Sequence, residues 1–158
     1  MTQRDSLATS QRSASHRASG LLVVLVLGCG VAPDASEGDA APASAGPSVA
    51  VLAPTDGATI DGPLVIVELG VSNLTIVPAG DQTPNSGHHH LFLDRDPAPA
   101  GQIIPAEPGH IVHLGTGATT YTFENVTPGE HRLIAVVADF AHIPLQPWVT
   151  DTVRFTVR

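Results

Sequence analysis

Seven of the eight histidines in this chain fall between residues 88 and 142: His88, His89, His90, His110, His113, His131 and His142. Imidazole ligates transition metals and titrates near neutral pH, so this density points first to metal chemistry. The triplet His88-His89-His90 runs straight into Leu91-Phe92-Leu93, a strand-like sequence. Side chains alternate along a strand, which puts His88 and His90 on one face, able to converge on one ion, and sends His89 to the other. His110 and His113 are an odd number apart, so a regular strand would separate them unless His110 belongs to the preceding loop. Asp139 and His142 form a D-x-x-H, in which the carboxylate is either a hard ligand or the group that orients a ligating imidazole through its second nitrogen. The candidate metal ligands are therefore His88, His90, His113, His142 and Asp139, with His89 and His110 as possible additions. The bland alternatives are a buried hydrogen-bonded histidine network without metal, or solvated surface histidines. His131, opening a run His131-Arg132-Leu133 after Pro128-Gly129-Glu130, reads as structural, Asp94 and Asp96 as turn residues, and Trp148 as a loop anchor.

The elements that must position these groups follow a period of two with turn signals between runs, the pattern of strands rather than helices. Val49, Val51 and Ala53 alternate before Pro54-Thr55-Asp56-Gly57; Val65, Val67, Leu69 and Val71 share one face after Asp61-Gly62-Pro63; and residues 73–77 form a short edge segment. The run 88–93 is apolar or imidazole on both faces, so it is buried on both sides or borders a pocket. Ile111 to Leu114, Thr119 to Glu124, His131 to Ala138 and the alternation Val153, Phe155, Val157 complete the set. About seven strands over residues 48–158 predict an all-β, immunoglobulin-like antiparallel sandwich. Two long connections, 95–109 and 139–149, are where a site on such a scaffold is expected.

Arg4, Arg12 and Arg17 precede the apolar run Leu21 to Leu27, which is shorter than the roughly 20 residues a membrane-spanning helix needs, and residues 1–28 read as a signal peptide. The chain's single cysteine ends Val26-Leu27-Gly28-Cys29, which resembles the lipobox of bacterial lipoproteins and implies lipidation of Cys29. Gly30 rather than Asp follows, which by the familiar sorting pattern implies the outer membrane. Residues 30–47 consist almost wholly of Gly, Ala, Pro, Ser and acids, too few apolar groups to offset chain ordering, and read as a disordered tether reaching about 23 Å on average.

Every basic residue is Arg, and the whole chain carries a net charge of −8. Without residues 1–28 it has 14 carboxylates against 4 arginines, hence −10. An acidic domain lacks the basic footprint of a nucleic-acid binder. One Cys excludes an internal disulfide and a thiolate cluster, and with Met1 the only methionine, Cu(II) or zinc fits better than Cu(I). No G-x-S-x-G, phosphate loop or dinucleotide fingerprint occurs, and no residue is singled out as catalytic.

Taken together, Val77-Pro78-Ala79-Gly80, Asn85-Ser86-Gly87-His88-His89-His90-Leu91-Phe92-Leu93-Asp94, His113-Leu114-Gly115-Thr116-Gly117, Pro128-Gly129-Glu130-His131-Arg132-Leu133 and Asp139-Phe140-Ala141-His142-Ile143-Pro144 resemble the bacterial DUF4399 family. The family's H-[FL]-G-x-G element is followed by Gln-Thr, and here Ala118 stands in place of Gln. The resemblance implies an exported β-domain with a His-rich motif and names no activity. Two readings follow: a lipid-anchored envelope protein with a copper or zinc site, or a metal-free envelope adhesion or interaction module whose histidines are structural.

Overall fold

The computed structural model describes residues 45–158; the signal segment, Cys29 and most of the tether lie outside the described residues. Among the described residues there is no helix. Nine strands follow in order: β1 (Ser48–Ala53), β2 (Ala58–Ile60), β3 (Val65–Ser72), β4 (Thr75–Ile76), β5 (Ser86–Leu93), β6 (Ile111–Leu114), β7 (Thr120–Phe123), β8 (Gly129–Ala138) and β9 (Thr150–Val157). Seven of them have four or more residues, matching the seven runs the alternation marks. The two others are edge pieces too short to show a period, and both pair in parallel, β2 with β9 and β4 with β5.

The strands form two sheets, β1-β3-β7 and β2-β9-β8-β5-β4, with β6 also pairing β5. The order β5-β8-β9 against β1-β3-β7 is the C-F-G against A-B-E arrangement of an immunoglobulin-type sandwich. The inner faces meet in one core. Val49, Val51, Val65, Val67, Leu69 and Phe123 come from the smaller sheet, and Leu91, Leu93, Leu114, Leu133, Ala135, Val137, Val153, Phe155 and Val157 from the larger. These are the alternate residues of each run, so one face of each strand is removed from water and contributes the hydrophobic stabilisation.

The larger sheet is also covered on its outer face, which explains why β5 has no polar side. Phe92, Ile111, Ile134, Val136 and Ala138 point outward from β5, β6 and β8 and pack with Ala98 and Ile104 of the long 95–109 connection into a second, smaller core. His88 and His90 share this outer face with Phe92.

Candidate metal centre

The centre is assembled by the pairing of three strands. Along β5, His90 stands opposite Val136 of β8 on one side and opposite His113 of β6 on the other. Directly opposed residues project to the same face, so the register alone brings His113 beside His88 and His90. β8 then runs into the segment that carries His142. There the His142 amide donates to the Asp139 carbonyl at 3.0 Å, the Asp139 amide to the Ile143 carbonyl at 2.9 Å, and Ala138 bridges to Pro144. This is a hairpin turn of three loop residues, Phe140, Ala141 and His142, whose last position is left-handed, with φ of 64° at His142. The Ile104 amide ties the other long loop to the His142 carbonyl at 2.9 Å.

His88, His113 and His142 each offer a ring nitrogen, all within 4.8 Å of one another, and these three histidines can hold a metal ion. His90 joins them, its Nε2 lying 3.1 Å from the Nε2 of His88. The four ring centroids are 4.6 to 5.7 Å apart in every pairing. Nitrogens held about 2.0–2.1 Å from a tetrahedral zinc are about 3.3 Å from each other. The His88–His90 pair already has that spacing. Neither residue's Nδ1 has a hydrogen-bond partner.

Burial disfavours the charged form of His88, His90 and His113 and so favours the neutral ring, the form that ligates. Burial, reinforced by the neighbouring His113 and His142, lowers the His88 pKa to about 4, against a smaller opposing pull from Asp139. Burial and then His88 lower that of His90 to about 3. Burial and His142 act in the same direction on His113. His88 and His90 are fully enclosed, His142 is half-buried, and His113 is exposed, so the centre meets solvent along the β6 edge.

The remaining candidates are placed differently. Asp139 does not join the converging nitrogens; its Oδ1 accepts the amides of Ala141 at 2.9 Å and Ile143 at 3.0 Å, which shapes the turn presenting His142. His89 points into the inter-sheet core, with no exposed surface and with both ring nitrogens unpartnered, so it is not an additional ligand at this centre. His110 precedes β6 and pairs its Nδ1 with the Leu93 carbonyl at 3.1 Å, at the opposite end of β5 from His88. His131 is structural: its ring lies between the Asp94 carboxylate, 2.7 Å from Nδ1, and the Thr127 carbonyl, 2.8 Å from Nε2. A carboxylate and a carbonyl oxygen both accept, so this setting favours the doubly protonated ring. Burial opposes that charge, but the Asp94 and Thr127 hydrogen bonds outweigh it and the pKa is raised. Asp94 does more than turn the chain, since its Oδ1 also accepts the Arg132 amide at 2.9 Å. Trp148 is 40% exposed and anchors little; the buried residue of that segment is Val149, at 2%.

One contributor carried a signal that residue-type reasoning passed over. Gly87, immediately before the triplet, has no room for a side chain: a Cβ there would lie 2.6 Å from the Ala138 carbonyl oxygen and 2.7 Å from Val137 Cγ1. Glycine lets β5 and β8 close at the end where His88 must face His142.

No curated protein matches this chain. Among solved structures it is similar to an X-ray structure of the endo-β-1,4-mannanase from Thermotoga petrophila, at 15% identity and a TM-score of 0.47, over 74% of this chain and 21% of that one. It is similar also to a crystal structure of an engineered protein, at 15% identity and a TM-score of 0.41, over 73% of this chain and 21% of that one. The chain thus spans about a fifth of the length of either structure. A family model, described as a domain of unknown function, DUF4399, matches residues 67–158, the span that holds every histidine of the centre; the chain belongs to the DUF4399 family.

Proposed function

We propose that this chain is a membrane-anchored envelope lipoprotein that binds a copper or zinc ion through His88, His113 and His142, with His90 as the fourth nitrogen donor. The observation that supports it is the convergence of imidazoles from three separate elements: His88, His113 and His142 each bring one nitrogen within 4.8 Å of the others, and the Nε2 atoms of His88 and His90 are 3.1 Å apart. Four nitrogen donors and no sulfur suit zinc or Cu(II). Anchoring through Cys29 places the centre in the envelope, within reach of ions crossing it, and Gly30 favours the outer membrane.

The test is metal analysis of the untagged protein from its own compartment, followed by calorimetric titration of the metal-free protein with Zn²⁺ and with Cu²⁺ at neutral pH. One equivalent bound saturably, and lost on His88→Ala, is the expected result. No saturable binding of either ion would leave the metal-free interaction module as the better reading.

A further inference from the structure

We propose that Gly115 is a positioning residue of the metal centre, kept free of a side chain because the His113 ring, in the orientation that faces the other histidines, occupies the space a side chain would fill. This rests on the metal reading above and deepens it. Gly115 opens the turn that follows β6, two residues beyond His113, and the His113 ring lies over it. A Cβ on Gly115 would lie 2.4 Å from His113 Cε1, 2.6 Å from its Nε2 and 3.1 Å from its Nδ1. All three nearest atoms belong to that one ring, and both possible ligand atoms are among them.

The backbone conformation at position 115 does not itself call for glycine. Gly115 is not one of the residues with positive φ, unlike Gly117 two positions later, whose φ of 79° is a backbone requirement. Nor is any backbone atom among the three nearest neighbours of that Cβ. The backbone at this point is also fixed. The Ala79 amide donates to the Gly115 carbonyl at 2.8 Å, and the preceding Leu114 is buried opposite His89. With the main chain held, any side chain at 115 is accommodated by the exposed His113 ring swinging outward, which carries its nitrogens away from His88 and His142. The missing methyl group thus leaves room for the ring of the most exposed of the proposed ligands.

The experiment is a double-mutant cycle on the full chain purified in detergent, comparing wild type, Gly115→Ala, His113→Ala and the double variant by calorimetric titration with Zn²⁺. Gly115→Ala alone is expected to weaken zinc binding about tenfold, equal to ~1.4 kcal/mol. In the His113→Ala background the same change is expected to alter affinity less than about twofold, since the only group it displaces is gone. Imidazole nitrogen–proton correlations of the metal-free protein give a second readout: the His113 signals move in Gly115→Ala while those of His89 stay. Equal losses in both backgrounds, unfolding of the double variant, or unchanged zinc affinity in Gly115→Ala would each overturn the proposal. Wild type that binds no zinc or copper would instead overturn the metal reading, and this proposal with it.

Discussion

His142 occupies a backbone position at which glycine or asparagine is the ordinary choice. Among the described residues, five non-glycine residues have positive φ; four are Asn73, Asn85, Asp94 and Asn125, and the fifth is His142. Holding such a conformation costs about 1–2 kcal/mol in a residue with a Cβ. The chain thus forgoes stability at the residue that completes the cluster, which is where strain is expected if the imidazole is functional. His142→Gly should therefore leave the metal-free protein as stable or raise its midpoint by a few degrees, while zinc affinity drops at least about tenfold. Thermal unfolding and titration of one preparation check both halves, and a destabilised variant would mean that the ring holds the fold. His89 calls for the complementary experiment. Both of its nitrogens are buried without partners in the main core, a desolvation penalty of about 1–3 kcal/mol. His89→Leu, apolar and of similar size, should raise stability by roughly that amount in urea unfolding and leave metal affinity unchanged, whereas His89→Ala opens a cavity and should lower stability. The separation of His89 from His88 and His90 follows from strand alternation and is legible in the triplet itself. The left-handed backbone at His142 is not, because the turn exists only once Ala138 and Pro144 pair.

At the scale of elements, β5 concentrates the acid sensitivity of the domain. Its three consecutive histidines have pKa values lowered by burial to about 4 at His88, about 4 at His89 and about 3 at His90. Above the unfolded value of about 6.5, both folded and unfolded chains hold these rings neutral and the full stability is present. Below it the unfolded chain takes up protons that the native strand refuses, so stability falls between about pH 6.5 and pH 4, by about 1.4 kcal/mol per pH unit for each proton. His131 acts in the opposite sense. Its raised pKa contributes stability that is complete below about pH 6.5 and fades as pH rises through the folded value. Urea unfolding of the metal-free protein between pH 4 and pH 8 should show the steep acid loss, and His89→Leu should make it shallower. A flat profile below pH 6 would contradict the buried, neutral state of β5. The burial of β5 on both faces could be read from its sequence, since no polar period interrupts it. The entry of His113 into the cluster could not, because it depends on which residue of β6 lies opposite His90. That register is a long-range property, set by the connection between β5 and β6. Asp139 shows a similar limit: in sequence a carboxylate three residues from a histidine is equally a ligand or a turn former, and here its Oδ1 takes two turn amides.

For the molecule as a whole, the two-sheet architecture follows from alternation and length, while the parallel pairing of β2 and β4 escapes a pattern read over two or three residues. The first strand begins at Ser48, and the Asn73 side-chain amide donates to the carbonyls of Ala45 at 2.9 Å and Gly46 at 3.4 Å. Upstream, the proposal of a lipid anchor makes a separate, whole-molecule prediction. If Cys29 is lipidated, the folded domain is joined to a membrane by residues 30–47, which reach about 55 Å when stretched toward polyproline geometry. Such a link holds the domain near a bilayer without requiring any surface of the sandwich to bind lipid. Cys29→Ser should then shift the protein from the membrane to the soluble fraction, or leave it unprocessed, with zinc affinity unchanged because every proposed ligand lies downstream of residue 87. Fractionation followed by titration tests both parts. A Cys29→Ser protein that is still processed and still sediments with membranes would rule out the lipid anchor and leave the metal centre to stand on its own geometry.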